Sequence, residues 1–343
     1  MKILFTAEYD SSYLERLESF GEIDIQGWAK GIAKLTEEEL IDLVRDKDII
    51  ITSYDDITKN VIDAAPNLKL IACTRATPVN IDTTYAKEKG IKVIYTPGRN
   101  SDSTAEHTIA LMLSISRKIP MAYKALKDGK FTSETSGKEA TKDGLREDVV
   151  WGFDDNSPYV VFKGFELKGK KLGIVGFGSI GRKVAKLARA FGMELLIFDP
   201  FVANIDIDEV GQSKVDMDTL LKESDFVSVH LKVTDETRGM FDKEAFEKMK
   251  DSAFFINCAR AAIMNESDLI EALRNKTIAG AAVDVFEKEP VWIDHPYITE
   301  LDNIVMTPHI AGATYDVLSN HTLMIIQELE RFTAGEPLLY EFR

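Results

Sequence analysis

Short apolar segments alternate with amphipathic segments along most of the chain. In the first third, aliphatic runs are separated by stretches with helical spacing, of which the clearest opens with a capping box formed by Thr36 and Glu39. Such alternation is typical of a parallel, doubly wound α/β sheet. The strands predicted in this region are residues 2–6, 23–25, 49–52, 69–73 and 92–95.

The alternation resumes in the second half, after an interval with a different pattern. Residues 104–126 predict one long apolar helix that is interrupted or kinked at Pro120, and residues 131–166 show no period. An irregular stretch of that length is usually functional or interfacial. We therefore expect a second α/β domain, closed by a helix at 314–333, with strands at residues 171–175, 194–198, 225–230, 253–257, 278–283 and 303–306.

Composition narrows the class of protein. A chain of 343 residues is long enough for two α/β domains, and its net charge of −15 argues against binding to nucleic acid or to an anionic membrane. No apolar segment has the length of a membrane span, and the N-terminal residues predict a strand rather than a signal peptide. We expect a cytoplasmic protein in which Cys73 and Cys258 are buried, reduced thiols.

The most specific motif is Gly-Phe-Gly-Ser-Ile-Gly at residues 176–181, between a predicted strand and an amphipathic helix. Gly176 permits a sharp turn, Gly178 lets a pyrophosphate approach the backbone, and Gly181 lets the helix pack close to the strand. The next strand ends at Asp199, whose carboxylate can accept the hydroxyls of an adenosine ribose. Residues 200–204 contain no Arg or Lys to receive a 2′-phosphate, so the motif predicts a site for NAD rather than NADP.

Hydride transfer at such a site requires a proton donor and a cation that holds the substrate. Of the five histidines, His309 is the best acid/base candidate, because it follows a buried strand at the edge where doubly wound folds bind ligands. We expect His230 to border the cofactor, and His107, His295 and His321 to be structural or solvated.

Other polar side chains also follow predicted strands. Arg260 could grip a carboxylate with its guanidinium fork, although it could equally be an ordinary surface arginine. Asp284 and Glu289, taken singly, are as consistent with surface acids as with site residues. Together with His309 they predict one polar site at the carboxyl edge of the second sheet.

The motifs together resemble the D-isomer-specific 2-hydroxyacid dehydrogenases, which include phosphoglycerate, glyoxylate/hydroxypyruvate and D-lactate enzymes. The resemblance covers nearly the whole chain and implies a Rossmann NAD-binding domain (residues 102–308, with an extended arm at 131–166) inserted into a flavodoxin-like substrate domain (1–101 and 309–343). Besides the glycine motif, it rests on Asp-Glu-Thr-Arg-Gly at 235–239, Asn-Cys-Ala-Arg at 257–260, Ala-Val-Asp-Val-Phe-Glu-Lys-Glu-Pro at 282–290 and Thr-Pro-His-Ile-Ala-Gly-Ala-Thr at 307–314.

The resemblance also implies residue roles. His309 would be the acid/base and Glu289 its partner, Arg260 the ligand of the substrate carboxylate and carbonyl, and Asp284 a ligand of the nicotinamide carboxamide. No metal site is predicted. The implied substrate-binding residues are Arg75, Ala76, Thr77, Trp151 and Arg260. The implied cofactor-binding residues are Thr104, Gly176, Gly178, Ser179, Ile180, Gly181, Asp199, His230, Cys258, Ala259, Arg260, Asp284, His309, Ala311 and Gly312.

The substrate loop departs from the family pattern. Relatives usually carry Gly-x-Asp-Asn where this chain has Ala-Thr-Pro-Val-Asn at 76–80, and Pro78 has no N–H to offer a carboxylate. Arg75 indicates either a second anionic group on the substrate or a structural arginine. We expect no regulatory domain after residue 343, which argues against the long, feedback-controlled phosphoglycerate dehydrogenases.

Three alternatives stay open from the sequence. A formate dehydrogenase would share the scaffold, but relatives of that class pair the histidine with glutamine rather than with a residue such as Glu289. An NAD-sensing corepressor could keep the same residues without turnover. The aromatic-rich arm predicts a homodimer through the cofactor domain, with Trp151 reaching the neighbouring active site, or else a lid over its own subunit.

Overall fold

The computed structural model describes residues 1–132, 155–203 and 213–342. The chain divides into two compact units, of which the first combines Met1–Ser101 with Ala313–Arg343 and the second is Asp102–Gly312. The boundary predicted after residue 308 lies instead after Gly312. The reason is that the backbone N–H groups of Ile310 and Ala311 donate to a buried carboxylate of the second unit.

The first unit contains a five-stranded parallel sheet with the order β2-β1-β3-β4-β5, the flavodoxin-like order expected from the resemblance. The five strands are mostly apolar and buried, apart from the edge strand Glu22–Ile25, which alternates polar and apolar residues and is partly exposed. They are β1 (Lys2–Phe5), β2 (Glu22–Ile25), β3 (Ile49–Thr52), β4 (Leu70–Cys73) and β5 (Lys92–Ile94). The helices are α1 (Leu14–Glu18), α2 (Glu37–Val44), α3 (Lys59–Asp63), α4 (Thr83–Glu88) and, from the C-terminal segment, α13 (Asp316–Ala334).

The second unit contains a seven-stranded parallel sheet with the order β12-β11-β10-β9-β6-β7-β8. All six predicted strands are present, and a short edge strand, β8, was not predicted. The strands are β6 (Lys171–Val175), β7 (Glu194–Phe198), β8 (Ser213–Lys214), β9 (Phe226–Val229), β10 (Phe254–Asn257), β11 (Gly280–Val283) and β12 (Ile304–Met306). The helices are α5 (Ser101–Ser116), α6 (Ile119–Lys127), α7 (Pro158–Val161), α8 (Ser179–Ala190), α9 (Met217–Glu223), α10 (Lys243–Lys248), α11 (Glu266–Arg274) and α12 (Pro296–Thr299).

The helix predicted at 104–126, with an interruption or kink at Pro120, is interrupted near that residue and forms two helices, α5 and α6. The break lies at Lys118, whose backbone is left-handed with a φ of 53°. Pro120 occupies the first turn of α6, where backbone N–H groups have no intrahelical acceptor, so a residue without an N–H loses no hydrogen bond there. The proline therefore starts a helix rather than kinking one.

The predicted irregular arm at 131–166 is described only at its two ends. Its C-terminal end includes the helical turn α7, and Phe162 packs edge-on against Phe131 with ring centroids 5.6 Å apart. Trp151 lies outside the described residues. Within the described ranges, no helix combines the length and the apolar character needed to cross a membrane.

Candidate active site

The glycine motif forms the turn between β6 and α8. Gly176 has a φ of 95°, and a Cβ atom there would lie 2.7 Å from the carbonyl oxygen of His230. A Cβ atom on Gly181 would lie 2.1 Å from the carbonyl oxygen of Gly176, so only glycine lets α8 start this close to β6. At Gly178, by contrast, a Cβ atom would meet nothing within 4 Å. The helix begins there without a side-chain cap, so its first N–H groups can bind an anion such as a pyrophosphate.

Asp199 holds this turn from the end of β7. Its carboxylate is 9% exposed, and its oxygens accept hydrogen bonds from the backbone N–H groups of Phe177 (2.7 Å) and Phe201 (2.9 Å). A carboxylate has about four lone-pair sites, so it can still accept the hydroxyls of a ribose. The Lys214 ammonium lies near the loop that follows Asp199, where it donates to the carbonyl oxygen of Val202 at 2.6 Å. The glycine turn and Asp199 together fit the adenosine and pyrophosphate portions of a dinucleotide.

His309 and Glu289 form a hydrogen-bonded pair of 2.7 Å between Nδ1 and Oε2. A carboxylate only accepts, so Nδ1 carries the proton and Nε2 is left for proton exchange. The imidazole side chain is 45% exposed, which leaves it accessible to a small molecule. His309 also has a left-handed backbone with a φ of 56°, an uncommon conformation that tends to occur at functional positions.

Asp284 is fully buried at the end of β11 and organises the turn that carries His309. Its oxygens accept hydrogen bonds from the Thr307 hydroxyl (2.6 Å) and from the backbone N–H groups of Ile310 (2.9 Å) and Ala311 (2.8 Å). The Thr307 hydroxyl is in turn 2.9 Å from Nε2 of His107. Because the single hydroxyl proton of Thr307 goes to Asp284, Nε2 of His107 must be the donor in that second bond.

The prediction that His107 is structural or solvated gives it no part in the site, and no role is predicted for Thr307. The structure places both in the network of Asp284. The sequence carries one signal for the contact between Thr307 and Asp284, namely that they follow the neighbouring strands β12 and β11. No sequence signal connects His107 to them, because 200 positions separate it from Thr307.

Arg260 follows β10 in a turn fixed by Asn257. The buried Asn257 amide accepts from the N–H of Ala259 (2.9 Å) and donates to the carbonyl oxygen of Arg260 (3.1 Å). The exposed guanidinium donates to the carbonyl oxygen of Ala259, and it has no carboxylate partner among the described residues. Arg260, Glu289 and His309 line the same cavity of about 790 Å³ within the second unit.

The remaining predicted cofactor residues of the second unit surround these turns. His230 follows β9 and hydrogen-bonds Ser228 at 2.9 Å, and removal from water lowers its pKa to about 3, so the ring is neutral. Cys258 is a buried thiol, as expected, and burial raises its pKa to about 12. Thr104 is buried within α5, Ser179 and Ile180 start α8, and Gly312 ends the unit.

The other two histidines are structural. His295 is buried and donates from Nε2 to Glu266 at 3.1 Å, since its Nδ1 accepts from the N–H of Tyr297. His321 is buried in α13 of the first unit.

Arg75, Ala76 and Thr77 follow β4 in the first unit. Cys73, the last residue of that strand, is the second buried free thiol. Ala76 and Thr77 are exposed, and the N–H of Val79 is used by the carbonyl oxygen of Thr77. The loop therefore offers few free backbone donors beyond residues 76 and 77.

Comparisons with known proteins identify the family of the chain. Residues 109–311 match the model of the D-isomer specific 2-hydroxyacid dehydrogenase NAD binding domain. The chain is 35% identical to the putative 2-hydroxyacid dehydrogenase YoaD of Bacillus subtilis, over 98% of this chain and 92% of that protein. It is 38% identical to a D-3-phosphoglycerate dehydrogenase of Archaeoglobus fulgidus over 89% of this chain, but it spans only 53% of that protein. The apo-structure of D-lactate dehydrogenase from Escherichia coli superposes with a TM-score of 0.75 at 28% identity, covering both chains completely.

Proposed function

Because the chain belongs to the D-isomer-specific 2-hydroxyacid dehydrogenase family and its cofactor is NAD(H), we propose that it interconverts a small D-2-hydroxy acid and the corresponding 2-oxo acid. When bound, NAD(H) supplies the hydride for reduction and accepts it in oxidation. We assign the second unit as the cofactor domain and the first as the substrate domain. The observation that carries the proposal is the pair formed by His309 and Glu289, with Nε2 of the histidine left for the substrate.

The cofactor would be held by the glycine turn and the residues at the carboxyl edge of the second sheet. Gly178 and the start of α8 would bind the pyrophosphate, and Asp199 would bind the adenosine ribose. Asp284, held in place by three donors, would bind the nicotinamide carboxamide. The arrangement of donors and acceptors within the second unit supports the pyrophosphate and ribose roles, whereas the nicotinamide role of Asp284 is the one that the family resemblance implies.

In reduction, His309 as the imidazolium would donate its Nε2 proton to the developing alkoxide oxygen. Glu289 accepts the hydrogen bond from Nδ1–H of His309 throughout, which fixes the ring orientation and stabilises the imidazolium charge. Arg260, which has no carboxylate partner among the described residues, would bind the substrate carboxylate and polarise the carbonyl. In oxidation the same groups act in reverse, with neutral His309 taking the hydroxyl proton.

The test is a turnover assay with NADH and a panel of 2-oxo acids, followed by the absorbance of NADH. His309→Ala should lower turnover by ~10²–10⁴-fold, the usual value of general acid catalysis, while NADH affinity measured by fluorescence titration stays within about twofold. Glu289→Gln should lower turnover less, and Glu300→Gln, at an exposed glutamate of the same unit, serves as the matched control.

Three results would contradict the proposal in different ways. Full turnover by His309→Ala removes this histidine from the mechanism. Binding of NADH without turnover of any 2-oxo acid favours a sensing protein, and oxidation of formate favours a formate dehydrogenase. The homodimer, the contribution of Trp151 and the cytoplasmic location remain predictions.

A further inference from the structure

The described part of the first unit contains three buried side-chain donors without a hydrogen-bond partner. They are Nε1 of Trp28, the hydroxyl of Thr74 and Nε of Arg99. All three follow the carboxyl ends of strands, namely β2, β4 and β5. An unsatisfied buried donor costs about 1–3 kcal/mol, so three at one edge of a sheet need an explanation.

Arg99 also carries a charge without a counterion. Its Nη1 is 3.3 Å from Nδ1 of His321, and because an arginine only donates, Nδ1 must accept. His321 then donates from Nε2 to the carbonyl oxygen of Glu8 at 2.9 Å, which makes it the neutral tautomer. No carboxylate lies within 4 Å of the guanidinium nitrogens of Arg99 or Arg75 in the ranges that the structure describes. Burial lowers the pKa of Arg99 accordingly.

Arg75 brings a second guanidinium to the same edge. Its carbonyl oxygen accepts from the N–H of Thr96, so the two arginines follow neighbouring strands, β4 and β5. Arg75 stacks over the ring of Tyr54 at 5.1 Å, and Tyr54 packs against Trp28 at 5.5 Å. The Tyr54 ring thus lies between the indole of Trp28 and the guanidinium of Arg75. This edge of a 2-1-3-4-5 sheet is where such folds bind ligands.

We propose that Arg75 and Arg99, with the donors of Trp28 and Thr74, form an anion-binding site that receives a second anionic group of the substrate, a phosphate or a carboxylate. Each of the three partnerless groups can donate, and the guanidinium groups of Arg99 and Arg75 are cationic, so the complementary ligand is rich in acceptors and negatively charged. Such a ligand would offset the desolvation of Arg99, whose guanidinium has no carboxylate within 4 Å in the described ranges. That the anion belongs to a 2-oxo acid rests on the proposed function, whereas anion binding itself does not.

The first experiment measures anion binding to the protein without cofactor. Inorganic phosphate and malonate are titrated calorimetrically at constant ionic strength into the wild type, Arg75→Gln, Arg99→Lys and the control Arg45→Gln. Arg45 is an exposed arginine of the same unit, so the control removes the same charge away from the site. We expect the two site variants to bind the preferred anion about tenfold more weakly and the control to match the wild type. Unchanged binding by Arg75→Gln overturns the site, and the stronger of the two anions identifies the group.

The second experiment compares substrates. In the wild type, 3-phosphohydroxypyruvate or oxaloacetate should be reduced with a higher kcat/KM than pyruvate, which lacks the second anionic group. Arg75→Gln should lower kcat/KM for the preferred dianionic substrate by about tenfold more than it lowers kcat/KM for pyruvate. An equal loss for both substrates would show that the arginines serve the shared carboxylate, and it would overturn the inference. If phosphate binding depends on the arginines but no 2-oxo acid turns over, the anion site stands and the proposed function fails.

Discussion

Replacing Thr307 by valine removes one hydroxyl and leaves the shape of the side chain nearly unchanged. In the wild type this hydroxyl donates to Asp284 at 2.6 Å and accepts from His107 at 2.9 Å. The substitution therefore breaks both bonds without creating a cavity. It tests whether the network holds the turn that carries His309.

The expected loss follows from the burial of the two partners. Asp284 is fully buried, so water cannot replace the lost donor, and a hydrogen bond to a charged group contributes about 1.5–3 kcal/mol. His107 is 20% exposed, and its Nε2 already lies 3.7 Å from the Asp284 carboxylate, so a small shift recovers part of the second bond. We expect Thr307→Val to lower the free energy of unfolding by about 2–3 kcal/mol.

Urea unfolding of the protein without cofactor, followed by circular dichroism, measures this loss. Thr307→Ser keeps the hydroxyl and is the matched control, which should lie within about 1 kcal/mol of the wild type. Turnover should fall in the valine variant and be retained in the serine variant, because the position of His309 depends on the same turn. Equal unfolding free energies for the valine variant and the wild type would refute the assignment of the network.

Four further predictions concern the cofactor, pH and assembly. Gly181→Ala should lose about 1–3 kcal/mol of stability and bind NADH weakly, because its Cβ would lie 2.1 Å from the carbonyl oxygen of Gly176. Gly178→Ala should weaken NADH binding but melt like the wild type, because its Cβ would meet no protein atom within 4 Å. Asp199→Ala should reduce the kcat/KM preference for NADH over NADPH, because the Asp199 carboxylate repels a 2′-phosphate, and equal kcat/KM values for the two cofactors in the wild type would refute this reasoning. Burial lowers the pKa of His321 from 6.5 to about 4, so on acidification the histidine of the unfolded state takes up a proton before that of the folded state. The free energy of unfolding should therefore fall by about 3 kcal/mol as the pH drops from about 6.5 to 4, and it should fall less steeply with pH in His321→Gln. Deleting residues 133–148 should weaken dimerisation in sedimentation experiments, and a monomeric wild type at micromolar concentration would end the arm hypothesis.

The fold could be predicted from the sequence because its signals are local. Alternating apolar segments, the glycine motif and the Thr36 capping box each specify structure within a few residues of themselves. The break between α5 and α6 could not be placed, since the left-handed residue there is Lys118 rather than glycine or asparagine.

The site was predictable only where its residues directly follow strands, as His309, Asp284 and Arg260 do. His107 was missed because its partner is distant in sequence and the residue lies inside a helix. Arg99 was missed for another reason, namely that only the surrounding structure reveals the absence of a counterion in the described ranges.

The division of the chain into units affects the order in which they can fold during synthesis. The second unit is continuous in sequence, so it can complete its core once the ribosome has released Gly312. One face of the first sheet packs Ile3 and Phe5 against Ile325 and Leu329 of α13, so that core stays open until the last helix emerges. The strands synthesised first are thus completed last, and during that interval their apolar face is the surface most in need of a chaperone.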